Sequence, residues 1–115
     1  DRANGLWIHE GWLIVGNSGD GMLKRVDLAT GKIEAILSLG AGIIDGIRVD
    51  EEGDLLVSHW EGRVYRISSA GELVEILDAG PRRWNTADFE YLEDENLLLI
   101  PTFTDNRVRA VRVAR

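Results

Sequence analysis

Gly46-Ile47-Arg48-Val49, an acidic turn and then Leu55-Leu56-Val57 form a unit that recurs along this chain. Its first strand realigns on Gly5-Leu6-Trp7-Ile8, 41 residues earlier, and on Asp88-Phe89-Glu90-Tyr91, 42 residues later. Its second strand recurs as Leu13-Ile14-Val15 and Leu97-Leu98-Leu99. A period near 40 built from short strands is typical of the blades of a β-propeller.

The segments between these repeats also have the composition of strands. Runs of about four to seven residues rich in Val, Ile, Leu and Trp, each closed by Gly, Asp or Asn, follow one another too closely for helices. The sequence therefore predicts an all-β fold of about eleven strands, grouped into blades at 4–38, 45–78 and 87–113. Gly31 lies in the last turn of the first blade, where a hairpin requires a residue that tolerates positive φ.

The third blade has only three predicted strands, whereas a propeller blade normally has four. Residues 1–3 are too few to supply the missing strand, so we expect residues 1–115 to form one half-propeller with two open blade faces. Exposed sheet faces of this kind favour association. Two copies related by a two-fold axis would give six blades, and a homodimer is the expected state. Alternatively, the chain is a piece of a longer propeller.

The charge and composition restrict the possible partners. The chain carries 20 acidic and 13 basic residues, a net charge of −7, whereas nucleic acids and anionic membranes both require a basic face. We therefore expect neither as a partner. There is no cysteine, so a metal site would have to use oxygen or imidazole ligands. No apolar run approaches the roughly 20 residues that a membrane-spanning helix needs. No feature indicates a cellular compartment.

Several motifs resemble the six-bladed propellers of the SMP-30/gluconolactonase family. The first three are Asn4-Gly5-Leu6, the stretch from Leu23 to Gly31, and Asp45-Gly46-Ile47. Three more follow in the last third of the chain, at 87–91, 97–103 and 105–108. The resemblance covers nearly the whole chain but only the C-terminal half of such a propeller. Related propellers include lactonases, esterases and binding scaffolds, so the motifs indicate the fold more specifically than the activity.

Propeller geometry selects the candidate site residues. The innermost strand of each blade starts at the face where the second strand ends, so side chains from both meet around the central channel. The innermost strands begin at Asn4, Asp45 and Asp88. The second strands end near Asn17 and near His59 and Trp60, which are the candidate substrate-binding residues.

The resemblance implies that Asn4 and Asp45, at matching repeat positions, ligate a divalent cation, commonly calcium. A hard cation takes six to eight oxygen ligands, which strand ends around a channel can supply. Asp88 is the third candidate ligand, although it aligns with Gly46, and a shift of one residue along a strand reverses the side-chain direction. A local bulge could restore it. Alternatively, Asn-Gly and Asp-Gly are simply good turn formers.

The resemblance further implies calcium- or zinc-dependent hydrolysis of a lactone or ester, with Asp45 as both ligand and general base. Family members also draw a glutamate ligand from an early blade that has no counterpart here. His59 is either a substrate contact or a polar residue of the channel rim, and Trp60 is a candidate aromatic wall. Packing between blades is expected for Trp7, Trp12 and Trp84. The competing hypothesis is a non-catalytic fragment that serves as a self-assembling binding scaffold.

Overall fold

The computed structural model describes residues 2–79 and 84–113, and within these ranges it contains eleven β-strands and no α-helix. The strands are β1 (Arg2–His9), β2 (Trp12–Gly19), β3 (Met22–Asp27), β4 (Ile33–Ser38), β5 (Gly42–Val49), β6 (Leu55–His59), β7 (Arg63–Ile67), β8 (Leu73–Asp78), β9 (Glu90–Leu92), β10 (Leu97–Thr102) and β11 (Arg107–Arg112). Short 3₁₀ turns, Glu93–Glu95 and Phe103–Asp105, flank β10. The predicted all-β fold is confirmed.

The strands form three antiparallel meanders: the first contains β1–β4, the second β5–β8 and the third β9–β11. The first two join into one sheet through a short pairing of β2 with β5, at Ser18 with Ile43 and Gly19 with Gly42. This sheet curls into a half-barrel, so the shape is like that of half a propeller. Gly31 has φ of +76°, as the turn after β3 requires.

Irregularities of the sheet repeat along with the strands. The pairing of β3 with β4 shifts register between Leu23 and Lys24, and that of β7 with β8 shifts between Val64 and Tyr65, 41 residues later. Each shift inserts one extra residue in the outer strand, which bends the strand and increases its twist. The repeat seen in the sequence is therefore also a repeat of local geometry.

The third repeat corrects one detail of the sequence alignment. Val49 pairs with Leu55, and the equivalent Tyr91 pairs with Leu98, so Leu98 rather than Leu97 corresponds to Leu55. The predicted alignment of the second strands is therefore wrong by one residue here. The cause is the 3₁₀ turn Glu93–Glu95, which makes the connection one residue longer than the acidic turn of the second meander.

Two apolar clusters hold the meanders together. The first joins the first and second meanders around Ile14, Leu23, Ile44, Ile47, Val57 and Ile67. Trp7 and Trp12 pack against this cluster, as expected from the sequence. The second joins the second and third meanders around Leu56, Val64, Phe89, Leu98, Ile100 and Val113. Because each cluster draws side chains from two meanders, neither meander of a pair buries its apolar face alone.

Candidate functional site

Strand pairing places the predicted site residues along one edge of the molecule. Ala3, next to Asn4, pairs with Asn17, and Ile44, next to Asp45, pairs with His59. The starts of β1, β5 and β9 and the ends of β2, β6 and β10 therefore lie along a common edge, which we call the polar edge. The sequence predicted this arrangement from propeller geometry.

A β-bulge lies at each of the first two candidate ligands. The pairing of β1 with β2 shifts register between Ala3 and Gly5, so Asn4 is the extra residue. The pairing of β5 with β6 shifts between Ile44 and Ile47, the interval that contains Asp45. A bulge re-aims side chains relative to the regular alternation of a strand. A β-bulge therefore orients the side chain of Asn4 and that of Asp45.

Glycines beside these residues allow the innermost strands to approach closely. A Cβ on Gly5 would lie 2.5 Å from the backbone oxygen of Asp45. A Cβ on Gly46 would lie 2.6 Å from the ring of Phe89 and 2.9 Å from its backbone nitrogen. Such distances are too short for any side chain, so only glycine permits this approach. Gly5 and Gly46 are therefore required for the close contacts between neighbouring meanders.

The three predicted ligands lie next to one another. Asn4 Nδ2 donates to the backbone oxygen of Ile44 at 3.1 Å and approaches Asp45 Oδ1 at 3.4 Å. The backbone N–H of Asp88 donates to the Asp45 carboxylate. Burial raises the pKa of Asp45, and the negative charge of Asp88 raises that pKa further. Asp45 on β5 thus lies between the Asn4 amide of β1 and Asp88 of the segment just before β9.

The carboxylates of Asp45 and Asp88 are ligands that calcium prefers, whereas Asn4 Oδ1 would join them only after the amide turned, because Nδ2 faces Asp45 and the Ile44 oxygen. The mutual repulsion of Asp45 and Asp88 is also what a divalent cation would relieve. Over residues 2–79 and 84–113, no group of three or more His, Cys, Asp or Glu side chains has the spacing of a metal site. Any cation site here would thus depend on the Asn4 amide, backbone oxygens and water.

Arg48 is the site residue that the sequence analysis missed. Its Nη1 lies 3.6 Å from Asp88 Oδ1, and its Nε lies 3.3 Å from Glu90 Oε1. The guanidinium stacks over the ring of Trp7 at 4.6 Å, and the side chain is mostly buried. Arg48 therefore balances part of the acidic charge that a metal would otherwise neutralise. Its place on β5, three residues after Asp45, carried no recognisable signal.

His59 is buried at the end of β6 with both ring nitrogens engaged by backbone. Nε2 lies 3.1 Å from the Gly40 oxygen, and Nδ1 accepts from the backbone N–H of Glu61 at 3.3 Å. With Nδ1 as an acceptor, the contact of Nε2 with the Gly40 oxygen is a donated hydrogen bond. The ring also packs against Gly42. In this conformation His59 stabilises the backbone at the end of β6, on the polar edge.

Trp60 and Asn17 take different positions on the same edge. The Trp60 ring lies 5.5 Å from the ring of Phe103, centre to centre, and Phe103 is largely exposed. Together they form a partly exposed aromatic pair at the ends of β6 and β10. Asn17 is buried, with Nδ2 3.5 Å from Asp20 Oδ2 in the turn after β2. Trp84, for which packing between blades is predicted, lies under the guanidinium of Arg109 of the third meander, at 3.5 Å from the ring centre.

A groove lies at the opposite edge, between the first and second meanders. Its volume is about 550 Å³, and its lining includes His9, Trp12, Arg25 and the acidic turn from Asp50 to Gly53. None of the six predicted site residues lines it. We base the candidate site on the polar edge, because there three potential ligands converge, whereas the groove walls carry residues already engaged in packing and turn formation.

Comparison of the sequence with protein-family models finds no match, and comparison with curated proteins finds none either. Within the described ranges, no helix is long and apolar enough to cross a membrane. The functional assignment therefore rests on the polar edge.

Proposed function

We propose that this chain is a divalent-cation-binding half of a six-bladed propeller of the SMP-30/gluconolactonase type, with the three meanders as its blades. A second copy would supply the other three blades. The observation that carries the proposal is the convergence of Asn4, Asp45 and Asp88 from three successive innermost strands. Calcium is the proposed cation because all the donors are oxygens.

The proposed reaction is hydrolysis of a lactone or similar ester. A bound divalent cation would supply Lewis-acid polarisation of the carbonyl and would lower the pKa of water at the site. Asp45 would serve both as a ligand and as the base that accepts the proton of the attacking water. Trp60 and the neighbouring Phe103 would offer an apolar contact for the substrate.

The second candidate is a non-catalytic propeller fragment that binds partners through its open faces. Arg48 favours this alternative, because its contact with Asp88 already compensates one of the two carboxylates. The buried, backbone-bound His59 favours it as well, since neither ring nitrogen is left to contact a substrate. Under this hypothesis the Asp45–Asp88–Arg48 cluster joins meanders and performs no chemistry.

Calcium-dependent stability tests the cation site. Calcium at about 100 times its Kd adds about 2.7 kcal/mol to the free energy of unfolding, which is readily seen as a rise in Tm. We expect this rise in the wild type and its loss in Asp45→Ala. Asp94→Ala, which removes an exposed carboxylate on the turn between β9 and β10, is the matched control and should keep the full rise. A wild-type Tm unchanged by calcium would remove the metal assignment.

Lactone turnover then separates the two functions. Simple lactones are assayed with calcium and with zinc, using the wild type and an Asn4→Ala/Asp45→Ala double variant. Hydrolysis by the wild type above the double variant supports the enzyme. Equal hydrolysis rates in the two proteins, together with a calcium-dependent rise in the wild-type Tm, would support a cation-binding scaffold without catalytic activity.

A further inference from the structure

Three residues at equivalent positions of the repeat contact one another across the inner strands. Trp7 on β1, Arg48 on β5 and Glu90 on β9 are equivalent, since each pairs with the corresponding residue of the strand that follows. The Arg48 guanidinium lies over the Trp7 ring at 4.6 Å and donates from Nε to Glu90 Oε1 at 3.3 Å. Arg48 thus contacts the first and the third meander at once.

The contact of Arg48 with the polar edge is looser than these. Its Nη1 donates to the backbone oxygen of Ile47 at 2.8 Å but lies 3.6 Å from Asp88 Oδ1, too far for a good hydrogen bond. The attraction between Arg48 and Asp88 is therefore mainly one of charge. The Asp88 side chain is also 63% exposed, which leaves room for its carboxylate to turn away. Because its other contacts hold the guanidinium independently, it can lose Asp88 and stay in place.

Asp88 is also the second carboxylate that a cation bound at Asp45 would use. The backbone N–H of Asp88 donates to the Asp45 carboxylate, and the negative charges of the two side chains repel each other. A divalent cation carries twice the charge of a guanidinium, so at a given distance its attraction for a carboxylate is about twice as strong. A cation that binds here therefore competes with Arg48 for Asp88.

We propose that Arg48 is a tethered counter-ion that a divalent cation displaces from Asp88, and that this competition sets the cation affinity of the polar edge. The inference deepens the proposed function and rests on its cation site. Without the cation, Arg48 compensates the charge of Asp88 and limits the repulsion between the two carboxylates. With the cation bound, Asp88 turns towards it, and the guanidinium keeps its contacts with Glu90 and the Trp7 ring.

Calcium titration of the folded protein by isothermal calorimetry tests this competition. Arg48→Met removes the charge and keeps an apolar chain that can pack against Trp7 and Phe89. We expect the Kd for calcium to fall about tenfold or more, because a unit positive charge leaves the neighbourhood of a divalent cation. Arg48→Lys keeps that charge and should remain closer to the wild-type Kd than Arg48→Met does.

Arg25→Met is the matched control, because Arg25 makes the same kinds of contact elsewhere in the fold. Its guanidinium lies over the Trp12 ring at 4.2 Å, and its Nη2 pairs with Glu34 Oε2 at 2.7 Å. Arg25 lines the groove at the opposite edge, so its substitution changes the net charge equally without altering the polar edge. At about 0.15 M salt, charges farther apart than about 8 Å are largely screened, and the Kd should change by less than about twofold.

Equal calcium affinities in the wild type and Arg48→Met would overturn the inference and leave the cation site intact. An equal gain in affinity for Arg25→Met would overturn it too, because net charge rather than the position of Arg48 would then be responsible. A Kd for Arg48→Lys equal to that of Arg48→Met would do the same, since the charge would play no part. Absence of calcium binding from all of these proteins would remove the cation site and the inference with it. Should Arg48→Met fail to fold by circular dichroism, Arg48→Gln is the second neutral variant.

Discussion

Asp45 is the residue in which packing and electrostatics conflict. It lies where two innermost strands meet, partly withdrawn from water and next to the carboxylate of Asp88. Both effects disfavour its charged form, and burial is the larger. Hydrogen bonds from Asn4 and from the Asp88 backbone only partly offset this cost. A residue with this balance is suited to bind a cation or to accept a proton.

This conflict predicts a pH-dependent gain in stability for Asp45→Asn. Because the pKa of Asp45 is higher in the folded than in the unfolded state, the free energy of unfolding falls as pH rises above its ordinary value of 3.8. The neutral amide avoids this loss. In calcium-free buffer we expect Asp45→Asn to have a higher Tm than the wild type at neutral pH and no advantage well below pH 3.8.

Thermal melts of both proteins across this pH range provide the measurement. Asp94→Asn, an amide substitution at an exposed position, is the control and should change Tm equally little at every pH. A Tm difference for Asp45→Asn that is independent of pH would show that the substitution acts through packing rather than charge.

At the scale of elements, the innermost strands are joined by backbone contacts as well as by apolar clusters. Ser58 on β6 illustrates this: its Oγ accepts from the N–H of Gly46 at 2.8 Å and donates to the Ala87 oxygen at 2.9 Å. One buried hydroxyl thus satisfies a donor released by the bulge in β5 and an acceptor just before β9. In the first meander the equivalent residue is Gly16, which packs directly on Ile44.

Ser58→Ala is therefore expected to lower the free energy of unfolding by about 1–3 kcal/mol, because it leaves the buried Gly46 N–H and the partly buried Ala87 oxygen without this partner. Urea denaturation measures this change. Ser69→Ala, at an exposed position of the turn between β7 and β8, should change stability by less than about 0.5 kcal/mol. Equal losses in the two variants would mean that the hydroxyl bridge contributes nothing.

At the scale of the whole molecule, three meanders form two junctions, and the first and third meanders carry large exposed apolar side chains, among them Leu6, Ile8 and Val108. Burial of apolar surface is the dominant favourable contribution to folding, so covering these side chains would stabilise the fold. The proposed second copy would cover them. Stability and association would then be coupled, as in dimers whose folded subunits depend on their interface.

This coupling predicts that Tm rises with protein concentration. Mass action stabilises a folded dimer as its concentration increases, whereas the Tm of a monomer is independent of concentration. Melts over a hundredfold range of concentration should show the rise for the wild type and for the control Leu28→Glu, which changes an exposed residue in the turn after β3. Leu6→Glu places a charge on the exposed side of β1 and should have a constant Tm, and a constant Tm for the wild type would contradict the prediction.

The sequence alone was sufficient for the strands and for the polar edge. Apolar runs closed by Gly, Asp and Asn located eleven strands, and their period of about 41 placed Asn4, Asp45 and Asp88 at equivalent ends of successive repeats. These features are local: alternation and turn residues act within a few positions of the chain. The one alignment error, a shift of one residue in β10, arose because this strand follows a 3₁₀ turn that adds a residue without a distinct signal.

Only the tertiary structure decided what each of these residues touches. The sequence suggested His59 for substrate, but its ring nitrogens bind backbone. The sequence did not identify Arg48, but this residue pairs with Asp88 at the junction of the second and third meanders. Such contacts join positions about 40 residues apart, and they depend on bulges that turn a side chain to one side of a strand or the other. Periodicity determined which residues share an edge, whereas packing between repeats decided which are buried, paired or open to a partner.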